Sequence, residues 1–143
     1  MSATNAFETD LLELIFNGTT ITNIADNTAS SPATNLYVSL HTSDPGEGGD
    51  QSSNETSYGS YARVAVARTS GGWTVSSNSV TNVGEIAFPQ CDGGSSTITH
   101  FGIGLASSST GTLLIKGELA SPLNVSNGVA PRFAASNLTI NID

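Results

Sequence analysis

The stretch Leu36-Tyr37-Val38-Ser39-Leu40-His41-Thr42-Ser43-Asp44-Pro45-Gly46 decides the fold class. Leu36, Val38 and Leu40 alternate with Tyr37, Ser39 and His41, a period of two that puts the aliphatic residues on one side of a half-buried strand. The run ends in turn chemistry: an Asp opens the turn, a Pro fixes φ beside it and a Gly follows. The same period returns downstream. Val64 and Val66 share a face within residues 61–68, bracketed by Arg63 and Arg68. Trp73 opens a short strand after the Gly71-Gly72 turn, and residues 80–88 form another, stopped by Pro89. In residues 97–106 Phe101, Ile103 and Leu105 take one face and His100, Gly102 and Gly104 the other. Two glycines on one strand face call for a bulge or the close approach of another backbone. Leu113, Ile115, Gly117 and Leu119 then alternate with Leu114, Lys116 and Glu118, and Leu138, Ile140 and Ile142 point inward at the end of the chain.

Only one segment has a helical period. In residues 5–17, Phe7, Leu11, Leu14, Ile15 and Phe16 recur at helical spacing while Glu8, Asp10 and Glu13 take other faces, and Asn17-Gly18 supplies a stop. Three turns are marginal in isolation, so this helix must dock on something. Residues 19–35 read as an extended connector with at most one weak strand around residues 20–24. No helix long enough for a parallel crossover separates the strands. The fold class is therefore mainly β: an antiparallel, jelly-roll-like β-sandwich with one short N-terminal α-helix. The expected division is a helix and connector over residues 1–35 and a β-sandwich domain over 36–143.

Composition narrows the function. The 143 residues suit one domain. Charged residues make up 11% where about 25% is ordinary, and Ser, Thr and Asn carry the polarity instead. The net charge is −8, with only Arg63, Arg68, Lys116 and Arg132 positive. Binding a nucleic acid through its phosphates needs more cations than that, so no nucleic-acid partner is expected. No apolar run reaches membrane-spanning length and the N-terminus lacks the pattern of a signal peptide, so no membrane partner is expected either. One cysteine, Cys91, allows no internal disulfide and fits no zinc spacing.

Candidate chemistry is sparse. His41 and His100 could pair as acid and base, but both sit on polar strand faces where a solvated or hydrogen-bonded histidine is ordinary. Cys91 lacks the context of a nucleophile. Asp44, Glu47, Asp50 and Glu55 miss the spacing of a calcium loop and read as a solvated acidic loop. Gly102-x-Gly104 lacks the third glycine and following helix of a dinucleotide site. Arg63 and Arg68 are candidates for bidentate bridges to carboxylates of a neighbouring subunit. Among exposed aromatics that could stack on a sugar, the sequence offers Trp73, Tyr37, Tyr58 and Tyr61. No catalytic residue, metal ligand or cofactor is assigned, and an enzyme is not expected.

The order of several short motifs carries a resemblance. Residues 36–47 are followed by Tyr61-Ala62-Arg63-Val64-Ala65-Val66, Ile86-Ala87-Phe88-Pro89, Ile98-Thr99-His100-Phe101-Gly102-Ile103, and Leu113-Leu114 with Gly117-Glu118-Leu119. The series resembles a family of small virion proteins of tailed bacteriophages, tail-fibre or capsid decoration (cement) proteins, from about Leu11 to about Ile140. This chain has Gly94, Ser95 and Ser96 where members of that family often carry an aromatic. The resemblance implies a β-sandwich, often a homotrimer, that binds other virion proteins and carries out no reaction. A fibre needs an elongated shaft, usually from repeats or coiled coils, and the sequence shows neither. The expected role is therefore a cement protein on the outer capsid surface, made in the host cytoplasm and bound to the major capsid protein. The alternative is a tail-fibre or tail-tip protein that binds a host-surface receptor or glycan. Phe7, Leu11, Ile15, Arg63 and Arg68 are the expected interface residues.

Overall fold

The structure is a computed structural model that describes residues 4–21, 25 and 32–142. The chain is mainly β, with one short N-terminal helix and antiparallel sheets. Helix α1 spans Asn5–Leu12 and continues as a wider π turn over Glu13–Asn17. Among the described residues nine strands follow: β1 Asn35–His41, β2 Val64–Ala67, β3 Trp73–Ser76, β4 Ser79–Asn82, β5 Ile86–Ala87, β6 Ser95–Gly104, β7 Leu113–Ser126, β8 Arg132–Phe133 and β9 Thr139–Asn141. They form a four-stranded sheet in the order β2-β1-β6-β7, a three-stranded sheet β3-β4-β9, and the pair β5-β8. The expected connector lies mostly outside the described residues, which include from it an isolated bridge between Ile21 and Ala25.

Two compact units share the chain: one gathers residues 1–35, 67–86 and 133–143, and the other gathers 36–66 and 87–132. In the first unit the Thr4 side chain caps the start of α1 by accepting from the Phe7 amide, and Gly18 ends the helix at φ 70°, a conformation that favours glycine. The apolar residues face inward along a different row than their spacing alone suggests. Leu12 and Phe16 are fully buried and Glu8 lies on the same row, whereas Phe7 keeps 45% of its surface and Leu11 and Ile15 are half-buried. Phe16 sets this rotation by meeting the ring of Trp73 edge-on, centroids 4.8 Å apart. Trp73 is thus core, not an exposed platform. Behind it, β3 and β4 form a hairpin with Trp73 opposite Asn82, and β4 continues onto β9 with Val80 opposite Ile140.

The strand expected over residues 80–88 is split into β4 and β5. Asn82 causes the break: its Nδ2 donates to the carbonyls of Gly84 and Ala134 and its Oδ1 accepts from the Leu138 amide. A buried side chain that binds three backbone groups turns the chain where hydropathy alone would continue it.

In the second unit β1 and β6 pair antiparallel, Val38 opposite Ile103 and Leu40 opposite Phe101, which places these apolar side chains on one sheet face. β6 pairs with β7 with two register shifts, one of them between Ile103 and Gly104, where the glycines foretold a bulge. The close approach at those glycines comes largely from side chains. A Cβ on Gly102 would stand 2.7 Å from His41 Nε2 and from Ser39 Oγ, and one on Gly104 would stand 2.2 Å from Gln51 Cδ. Gln51 belongs to the acidic loop, yet it is fully buried. Its amide reaches the Tyr37 carbonyl and the Ala106 N–H, and its own N–H bonds the Gly111 carbonyl.

Candidate functional site

A cleft of about 390 Å³ opens in the second unit between residues 55–63 and the loop 107–109. Its floor is a network built by the end of β1 and the approach to β2. Glu55 bridges to His41 at the end of β1. Tyr61 and Arg63 lie two residues apart, and both side chains reach the Glu55 carboxylate. The Arg63 guanidinium holds the Glu55 carboxylate bidentately, Nε to Oε1 and Nη2 to Oε2, each at 2.7 Å. It also donates to the carbonyls of Ala106 and Ser109, at 2.9 and 2.7 Å. The Tyr61 hydroxyl donates to Glu55 Oε1 at 2.8 Å and accepts from the Leu40 amide at 3.0 Å.

The Arg63 side chain is only 2% exposed and that of Glu55 16%. A buried guanidinium needs this full set of partners, and the bonds to Ala106 and Ser109 tie down the cleft's second lip. The Glu55 carboxylate strengthens Arg63's hold on its proton. Burial, with the Glu55 charge beside it, holds the Tyr61 hydroxyl protonated far above its ordinary range. Burial, with a smaller effect from Cys91, pushes the Tyr58 hydroxyl up to about 12. At neutral pH Tyr58 and Tyr61 are therefore neutral and Arg63 is charged.

The second polar constellation is sealed. Ser39 Oγ and His41 Nε2 stand 2.8 Å apart, and His41 Nδ1 is 2.9 Å from the Ser53 carbonyl. A carbonyl only accepts, so Nδ1 carries the proton and Nε2 receives the Ser39 hydroxyl hydrogen. Burial lowers the affinity of His41 for a second proton. The spacing is that of a nucleophile and base, but both residues are fully buried and the Gly102 backbone lies against them. His41 is the hydrogen-bonded structural histidine, and its pair positions the acidic loop.

The other expected residues separate. Arg68 lies in the first unit, where Nε donates to the Ile15 carbonyl at 2.7 Å, Nη2 to Leu14 and Nη1 to Ala33. It caps the carbonyl end of the helix, where a cation meets the negative end of the helix dipole. Neither Arg63 nor Arg68 presents an uncommitted fork. Phe7, Leu11 and Ile15 run at intervals of four along the less buried side of the helix. The four loop acids diverge: Asp44 and Glu47 pair with Lys116, Asp50 binds Ser52 and Ser53, and Glu55 binds Arg63. Among the described residues no group of three His, Cys, Asp or Glu side chains is placed to hold a metal ion. Cys91 is buried in its turn, its Sγ 3.2 Å from the Gly93 carbonyl. Tyr58 is buried, and only Tyr37 and Tyr61 of the expected aromatics keep part of their surface.

Sequence reasoning missed Glu55 and Tyr61 as parts of one network with Arg63. The signal available was the shared side of Tyr61 and Arg63 in a chain with so few cations.

The fold and these networks define a small, mainly β protein whose polar side chains are spent on rigid internal ties. The chain matches, over residues 2–141, the family model described as podophage GP4 fiber I protein gp80, and it belongs to that family. It is thus a tailed-phage virion protein of fibre type, as the ordered motifs suggested at the coarser level. No curated protein matches the chain.

Proposed function

We propose that this chain is a structural, non-catalytic component of a virion tail fibre that assembles as a homotrimer and docks on other virion proteins. The single observation that carries the reading is the family match across residues 2–141, whose description names a fibre protein. That match favours the tail-fibre alternative over the capsid-cement role expected from the sequence. The case for cement rested on the absence of repeats or a coiled coil, and that argument weakens once the chain is one piece of a larger fibre rather than a whole shaft. The sealed Ser39–His41 pair supports a non-catalytic role. The half-exposed row of Phe7, Leu11 and Ile15 supports a subunit contact through the outer side of α1. Separating tails from emptied shells of the encoding phage and quantifying this chain by mass spectrometry tests the assignment. Recovery with tails is expected, and recovery with shells would restore the cement role.

A further inference from the structure

We propose that the cleft between residues 55–63 and 107–109 binds one neutral saccharide unit; the biological setting of this site rests on the fibre reading, while the binding itself does not. The volume of about 390 Å³ falls in the range of small-molecule sites, roughly 300–1,000 Å³. The lining mixes apolar surface with convergent polar groups. Tyr58 and Tyr61 stand edge to face in the wall, centroids 5.3 Å apart, and Tyr61 is the one left partly open. Ser57, Ser60, Ser107, Ser108 and Ser109 form an exposed rim. A hydroxyl both donates and accepts, and a rim of them matches a ligand whose own periphery is hydroxyl groups.

The charge pattern selects an uncharged ligand. Arg63 uses four of its five N–H donors on Glu55, Ala106 and Ser109, and its charge is cancelled within the pair. Glu55 Oε1 accepts two of the bonds described above and Oε2 one, so the carboxylate keeps an accepting position on its less occupied oxygen. That position takes a ligand hydroxyl hydrogen. An anionic ligand meets no uncompensated cation there, in a chain of net charge −8.

The lips are also held in place before any ligand arrives. Ser60 and Ser109, one on each side, adopt left-handed φ values of 65° and 60°, a region that disfavours residues with a Cβ. Such conformations persist only where surroundings impose them, and they gather at ligand clamps. Here the surroundings are visible. The Ser109 carbonyl is bonded by Arg63, and Ser60 Oγ donates to Asp92. Gly59 lets the turn at residues 92–93 close against it, since a Cβ there would lie 2.2 Å from Asp92 Oδ1. A preformed site loses less freedom on binding.

The test is an amide-resolved NMR titration of the full chain with methyl glycosides of glucose, galactose, N-acetylglucosamine and rhamnose, alongside glucose 6-phosphate and N-acetylneuraminic acid. At least one neutral glycoside should give saturable shifts confined to residues 55–63 and 107–109, with the anionic sugars about tenfold weaker or worse. Ala62→Leu places a bulkier aliphatic side chain, which cannot stack on a sugar ring, on the exposed rim and should abolish the shifts while leaving the unfolding midpoint unchanged. Should that variant be destabilised, Ser108→Leu on the other lip takes its place. Absence of saturable shifts with every neutral glycoside, equal binding of the anionic sugars, or full binding by a stable, filled variant would overturn the proposal. Sugar binding by a chain found in shells would remove the fibre reading and keep the site; a fibre-located chain without binding would do the reverse.

Discussion

At the residue scale, buried polar side chains tie loops to strands. Arg63 binds a carboxylate and two loop carbonyls from a nearly sealed position. Arg63→Met leaves Glu55 with only its Tyr61 bond and those carbonyls without their donor, and should lower stability by about 3 kcal/mol in denaturant titration, toward the lower end for a broken buried pair because Glu55 also keeps some solvent contact. Lys116→Met, which removes the partner of exposed Asp44 and Glu47, should leave the midpoint unchanged. His41 sets a pH dependence. Its folded-state affinity for a proton is depressed by burial, so the unfolded chain binds protons more readily. Its contribution is fully present above the ordinary histidine value of about 6.5 and is lost as pH falls below it. Unfolding measured from pH 8 to 5 should show that decline, and His41→Gln should flatten it. Gly102→Ala should cost about 1–3 kcal/mol, since the new methyl group meets the Ser39–His41 pair, whereas Gly84→Ala meets nothing within 4 Å and should be close to neutral.

At the scale of elements, α1 has two sides with different work. Phe16→Ala removes the ring packed on Trp73 and should destabilise the protein by about 3–5 kcal/mol. Phe7→Asp, at a residue 45% exposed, should dissociate the proposed homotrimer in light scattering while the separated chain keeps its β circular dichroism; an intact trimer would move the subunit contact elsewhere. The extent of the helix was legible from residue 5 to the Asn17-Gly18 stop, because periodicity and a left-handed cap are local signals. Its facing was not, since rotation depends on Trp73, far along the chain. Likewise the alternation of β1 and β6 showed which aliphatic residues share a face, and Gly102 and Gly104 announced a bulge. The break between β4 and β5 was hidden because it depends on where the Asn82 amide finds carbonyl partners. The floor of the cleft was hidden for the same reason: Glu55 looks like one more loop acid until Arg63 and the Tyr61 hydroxyl are brought to it.

At the scale of the whole molecule, low charge is compatible with firm assembly. Exposed ion pairs add about 0–1 kcal/mol each and are screened by salt. On the proposed assembly, a chain with four cations would hold its neighbours mainly through apolar and backbone contacts, multiplied over several subunits. High salt should therefore leave it on the particle, and quantitative release by half-molar salt, about a 4 Å screening length, would contradict that interface. The fibre assignment itself is tested most directly by an averaged cryo-electron microscopy map of the encoding phage's intact virion, with this chain located by its side-chain density. Density for the chain in fibres projecting from the tail is the expected result. Density for it on the capsid lattice, with none in the tail, would contradict the account.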